Sequence, residues 1–208
     1  MHIPDGLLST PAVVTTYLIS GSAVYLAAKK MEKEDEEKIP LLGLAAAAIF
    51  VAQMVNFPVM AGVSGHLLGA TLIAILFGPY ASVLVMSSVL IIQTLLFGDG
   101  GITALGANIL NMGIIGAFVG YYLYKKLERL GKVLAAGIAG WVSVVLGAVL
   151  ASIEVGLSGT APFLPFLKLM LIYHSAVGVI EGVLTGALVM LMQGQKEEKE
   201  TPVGVKRS

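Results

Sequence analysis

Residues 133–153 read VLAAGIAGWVSVVLGAVLASI, twenty-one positions without a charged side chain. A bilayer's hydrocarbon core is about 30 Å thick, and a helix crosses it in roughly 20 apolar residues. A helix that is apolar on every face belongs in a large core or in a membrane. Comparable runs fall at roughly 8–28, 41–57, 67–78, 80–98, 106–124 and 166–193. That makes seven predicted spans. The third is short and abuts Gly78-Pro79, which predicts a broken or re-entrant helix; the last is long enough to tilt.

Composition points the same way. Hydrophobic residues make up 57% of the 208 positions and charged residues 12%, against about 25% charged in an average soluble chain. A soluble fold of this size has too little interior for that apolar surface, so the excess faces lipid. The expected class is an all-α integral membrane protein, a seven-helix transmembrane bundle. This excludes a cytosolic enzyme and a nucleic-acid binder, and a net charge of zero implies no polyanionic partner. With no cysteine there are no disulfides and no thiolate metal sites.

Twelve of the thirteen basic residues lie in three clusters: Lys29, Lys30, Lys33 and Lys38; Lys125, Lys126, Arg129 and Lys132; and Lys196, Lys199, Lys206 and Arg207. A seven-span path puts all three on one side, and the positive-inside bias makes that side the cytoplasm. The amino terminus is then outside and the carboxyl terminus cytoplasmic. The opening segment has no basic n-region, which predicts an uncleaved first span. Residues 1–193 form the membrane domain, and 194–208 are expected to be a disordered cytoplasmic tail. No internal repeat stands out, which weakens a carrier of the inverted-repeat type.

Two of the three histidines, His2 and His66, fall on the predicted outer side. A free amine followed by His at position two offers three nitrogens: the Met1 amine, the His2 amide and His2 Nδ1. Amine and amide close a five-membered chelate ring, amide and Nδ1 a six-membered one, and the three lie in a plane. The fourth corner stays open, and a second imidazole can fill it. Planar nitrogen ligation suits Ni²⁺ or Cu²⁺, whereas zinc prefers a tetrahedron. Taken singly, His2 also reads as an ordinary terminal residue and His66 as a hydrogen-bonded loop histidine.

Other polar residues surround these. Pro4-Asp5-Gly6 is turn chemistry, and Asp5 reads either as an outer-sphere acceptor near a metal or as the N-cap of the first span. Ser64 and Asp99, in the two polar outer loops, are candidates for the same outer sphere. Asn108 and Asn111, three apart on one helical face, either orient His66 and the terminal strand or act as caps and interhelical glue. His174 and Glu181 lie two turns apart in the last span, as a relay or as a structural pair. Ala48 and Ala52 belong to a small-residue stripe suited to internal packing or to docking a partner helix. No G-x-x-x-x-G-K-[ST] loop occurs, so this chain has no ATP-hydrolysing site of that kind.

Three motifs carry a resemblance: Met1-His2-Ile3-Pro4-Asp5-Gly6-Leu7-Leu8-Ser9, Ser64-Gly65-His66-Leu67-Leu68-Gly69, and Gly98-Asp99-Gly100-Gly101-Ile102-Thr103-Ala104-Leu105-Gly106-Ala107-Asn108. Over residues 1–193 the sequence resembles the CbiM/NikM family, the substrate-binding (S) components of energy-coupling factor transporters for nickel or cobalt. The resemblance implies seven helices and a terminus inserted into the bundle. It implies a metal held by the Met1 amine, the His2 amide and Nδ1, and the His66 imidazole. It also implies partners: a membrane T component, two ATPase subunits and, in many systems, a small extra membrane subunit. The chain is then a transport subunit of a prokaryotic plasma membrane, not an enzyme, with no cofactor and Ni²⁺ or Co²⁺ as cargo. Nickel is preferred because a planar four-nitrogen field suits its d⁸ configuration. The reading from another class is a stand-alone, proton-coupled divalent-metal carrier using His174 and Glu181.

Overall fold

A computed structural model describes residues 1–32 and 38–200. The middle of the charged linker, 33–37, and the end of the tail, 201–208, lie outside the described residues. In chain order the elements are α1 (Thr10–Met31), α2 (Lys38–Gln53), β1 (Phe57–Met60), β2 (Val63–Gly65), α3 (Ala70–Phe77), α4 (Pro79–Ile92), α5 (Leu105–Asn108), α6 (Gly116–Leu127), α7 (Lys132–Leu157) and α8 (Phe163–Glu200). Helix α4 runs into a π-helical turn over Gln93–Phe97, and a π-helical stretch over Ile109–Ile115 joins α5 to α6. Helix occupies part of each of the seven apolar stretches, and five described helices are long and apolar enough to cross a membrane. Helix α2 has 16 residues, and α3 has 8 before it breaks at Gly78. The backbone of α8 continues past residue 193 to Glu200.

The polarity is that of a bundle in lipid. Leu18, Leu26, Leu44, Leu96, Leu164 and Val183 point outward, while Gln53, Thr71, Gln93, Asn108, Glu154, His174 and Glu181 are buried. In water such a surface would be an association patch. In hydrocarbon it is the favourable exterior, and polar groups must find partners inside. The most extensive pairing joins α7 to α8. A Cβ on Gly182 would lie 2.6 Å from the Gly137 carbonyl oxygen, so these backbones touch directly, as small-residue interfaces allow.

Two expectations need correcting. The chain is not wholly α-helical: β1 and β2 form an antiparallel hairpin, with Phe57 opposite Gly65 and Pro58 opposite Ser64. The turn is Ala61-Gly62, both at positive φ, as tight hairpins require. The second apolar stretch therefore ends at Gln53 and not at 57. Pro58 has no N–H for a helical bond and pushes Phe57 into extended backbone.

Helix α1 lies against α5 with no space for a side chain between them. A Cβ on Gly106 would meet Tyr17 N at 2.6 Å and Thr16 C at 2.9 Å, and Ser20 Oγ donates to the Gly106 carbonyl at 2.6 Å. Gly106→Val should therefore lower the thermal unfolding midpoint in detergent, through overpacking worth about 1–3 kcal/mol. Gly21→Val, on the open side of α1 with nothing within 4 Å, should leave that midpoint nearly unchanged. Equal midpoints for the two variants would contradict this packing.

Candidate metal centre

Residues 1–3 are extended, buried and inserted between the hairpin and the 98–104 loop. A buried strand must have its backbone groups satisfied. On one edge Ser64 N donates to the His2 carbonyl at 3.4 Å. On the other, Ile3 N donates to Asn108 Oδ1 at 2.8 Å, Asn108 Nδ2 donates back to Ile3 O at 3.1 Å, and Gly101 N donates to Ile3 O at 2.9 Å. Asn108 thus pairs with Ile3 as a neighbouring strand would. The strand fits because Gly100 and Gly101 lack side chains. A Cβ on Gly101 would run into the Asp5 backbone, and one on Gly100, whose φ is +91°, would lie 3.2 Å from the His2 ring. The Met1 side chain fills space left by Gly147, where a Cβ would sit 2.7 Å from Met1 Cε.

Three nitrogens converge at the inner end of this strand. Ser64 Oγ lies 3.4 Å from the Met1 amine, 3.2 Å from His2 N and 3.2 Å from His2 Nδ1. The amine and amide donate to it, and Nδ1 lies within hydrogen-bond reach of it. His2 Nε2 stands 3.1 Å from Gln93 Oε1, which aims Nδ1 at the convergence point. The His66 ring stacks on His2 with centroids 4.5 Å apart. Its Nδ1–H donates to the Leu67 carbonyl at 2.7 Å, and its buried Nε2 has no hydrogen-bond partner. Among the described residues no three His, Cys, Asp or Glu side chains group as a metal cage. Any ion held here would need main-chain and terminal nitrogen beside the two imidazoles.

Burial governs the charges. It pushes the Met1 amine well below its ordinary value, with Asp99 opposing. His66 is lowered well below the usual histidine range by burial and then by the neighbouring amine and His2. His2 is lowered by burial against the pull of Asp99. All three are displaced toward neutral nitrogens with free lone pairs, the form that binds metal. Burial pushes the Asp99 carboxyl up, but His2, the amine and Asn56 together hold it below the ordinary range. Its Oδ1 stands 3.2 Å from His2 Nδ1, the nearest negative charge to the cluster.

Half of the residues singled out in the sequence meet here: Met1, His2, Ser64, His66, Asp99 and Asn108. Others do not. Asp5 is no cap for α1, whose N-cap is Ser9. It accepts from Thr103 N at 2.7 Å, Thr103 Oγ1 at 2.6 Å and Ile102 N at 3.2 Å, clasping the loop beneath the strand. Asn111 leaves the Asn108 face and donates to Glu154 at 2.7 Å. The i→i+5 bonding from Ile109 onward widens the turn and breaks the three-residue register. His174 and Glu181 do not pair: His174 Nδ1–H donates to Met170 O, and Glu181 accepts backbone N–H groups of the His66 loop. Ala48 is exposed and Ala52 half-buried, on the rim of a crevice between α2 and α8. Gln93 and Gln53 went unrecognised; an amide side chain inside an apolar span was the available signal.

The chain is similar to known metal transport proteins. Residues 2–199 match the family model CbiM, described as the cobalt uptake substrate-specific transmembrane region. A relative from Archaeoglobus fulgidus, whose name provisionally assigns it to fused nickel transport (NikMN), is 41% identical over 97% of this chain and 70% of its own length. The cobalt transport protein CbiM of Clostridium tetani is 30% identical over 100% of this chain and 90% of its own. A crystal structure of a transition metal transporter superposes with a TM-score of 0.90 at 35% identity, covering 95% of this chain and 94% of that one.

Removing the Asn108 amide leaves the Ile3 N–H buried without an acceptor, at a cost of about 1–3 kcal/mol. Asn108→Leu should therefore unseat the strand and speed acylation of the Met1 amine about tenfold or more, read by mass spectrometry of the terminal peptide. Unchanged acylation would show that Asn108 does not hold the strand.

Proposed function

The chain belongs to the CbiM family, and from that premise we propose that it binds Ni²⁺ tightly and imports it as the S component of an ATP-driven energy-coupling factor transporter. It is a transport protein crossing the prokaryotic plasma membrane several times. The observation that carries the nickel reading is the convergence of the Met1 amine, His2 N and His2 Nδ1 on one point, with the unpartnered His66 Nε2 beside them. These four nitrogens are the proposed ligands. The His2 amide loses its proton as the ion arrives, and the Ser64 hydroxyl gives up its place. Asp99 offsets the ion's charge, while Gln93 and Asn108 keep His2 aimed. In this reading the strand faces outside, a T component docks with Ala48 and Ala52 at the contact, and two ATPase subunits supply the energy.

Cobalt uptake by the same mechanism is the second reading, because relatives carry both metals in their names. The planar field implied by an amine, an amide and two imidazoles favours d⁸ nickel. A stand-alone carrier loses its relay, since His174 and Glu181 bond elsewhere.

His2→Ala and His66→Ala should each abolish tight nickel binding in equilibrium dialysis of folded protein, while His174→Ala retains most of it. Tight binding by His66→Ala would remove the fourth ligand. Adding one uncleaved residue before Met1 turns the amine into a second amide at a fully buried position. Such protein should hold less than a tenth of the native nickel at subsaturating metal, whereas a carboxyl-terminal tag should have no effect. Native stoichiometry in the extended protein would sink the amine as a ligand.

A further inference from the structure

Glu181 sits on α8, buried, yet touches neither His2 nor His66 directly. Its Oε2 accepts Leu68 N–H at 2.9 Å and its Oε1 accepts Gly69 N–H at 2.7 Å. Each N–H belongs to a peptide unit whose carbonyl is also held. Leu67 O accepts His66 Nδ1–H at 2.7 Å, and Leu68 O accepts Gln53 Nε2–H at 2.7 Å. Two successive peptide planes of the His66 loop are thus gripped at both ends, by side chains from α8 and α2.

The first plane joins carboxylate to imidazole. Glu181 Oε2 takes the Leu68 N–H, and the other end of that peptide, the Leu67 carbonyl, takes the His66 Nδ1–H. A hydrogen bond to a peptide N–H polarises the unit and strengthens its carbonyl as an acceptor. A stronger acceptor holds the proton on Nδ1 and leaves the lone pair on Nε2. Metal-bound histidines commonly donate their other N–H to a carboxylate or a carbonyl; here the carbonyl is backed by a carboxylate.

We infer that Glu181 is a positioning residue for the metal centre, fixing the tautomer and aim of His66 through the Leu67–Leu68 peptide. The inference rests on His66 being a nickel ligand. The competing role is a cap for α3, whose first orphan N–H groups lie at this turn. A cap holds a helix end and raises stability. It has no reason to change which nitrogen of His66 carries the proton.

The test separates the two. Metal-free Glu181→Leu, Glu181→Gln and native protein, labelled with ¹⁵N-histidine in detergent, are compared for His66 nitrogen shifts, nickel affinity by equilibrium dialysis and thermal midpoint. Native protein should show a single Nδ1–H tautomer of His66. Glu181→Leu should show a mixture and bind nickel 10–100-fold more weakly, the usual cost of losing such a partner. Glu181→Gln, which keeps one carbonyl acceptor, should fall between. Native affinity in Glu181→Leu overturns the inference, whatever the midpoint does. If Glu181→Leu does not fold, Glu181→Gln decides by the same two readouts, with native tautomer and affinity overturning it. His66→Ala is measured alongside. Tight binding there would strike the ligand reading itself, whereas loss there with native binding in the Glu181 variants would remove only the role given to Glu181.

Discussion

A chain end is costly to bury in an apolar bundle, because it brings an amine and consecutive backbone groups that need partners where no water is available. The first three residues meet that constraint group by group. The amine and the His2 amide reach Ser64, the His2 carbonyl takes Ser64 N–H, and both backbone groups of Ile3 go to Asn108 and Gly101. Much of this end of the bundle follows from this insertion. The hairpin supplies one edge for the strand, the glycine pair gives it a floor, and the clasp of Asp5 on Ile102 and Thr103 closes the exit. The π-helical turn over Gln93–Phe97 and the short helix α5 flank the loop and present Gln93 and Asn108 to the strand.

The two stacked histidines are held differently. His66 gives its Nδ1 proton to a backbone carbonyl, whereas His2 is fixed at both nitrogens, by Gln93 at Nε2 and by Ser64 and Asp99 at Nδ1. Each ring is left with one lone pair, without either needing to be charged. That matters in a site with little water, where an isolated imidazolium would be expensive. Asp99, the carboxylate nearest the cluster among the described residues, is partly buried and shared with Asn56.

The apolar runs were long enough to reveal the helical bundle without any pairing information, because length and lack of charge are properties of a single segment. The break after α3 was equally legible from Gly78-Pro79. What escaped was whatever depended on geometry across segments. The hairpin begins at the last residue of an apolar run and otherwise occupies what reads as a loop, marked only by Pro58 and Gly62. The asparagines look equivalent at three-residue spacing, but a π-helical stretch rotates Asn111 to Glu154. His174 and Glu181 share a helical face, which suggested a pair; each instead finds a closer backbone partner. The chelating pattern of Met1 and His2 was readable because it is local, whereas His66 was reached through the side of the membrane assigned to it and through the resemblance. Gln53 and Gln93 were not, since an amide in a span announces only that it needs a partner, not which one.

The strand carries three of the four nitrogens at the cluster and also seals it from the outside. If an ion is held there, its escape is tied to peeling the first residues of the chain away from Asn108, Gly101 and Ser64. Residence time is then set by the zippering of a short peptide as well as by ligand exchange at the ion. An exchange-labile metal can become kinetically trapped, and whatever pries the strand loose acts as the release trigger. In the proposed site the amino terminus would be at once ligand and latch, so affinity and dwell time could be tuned at different residues: the former at the histidines, the latter at Asn108 and the glycine floor.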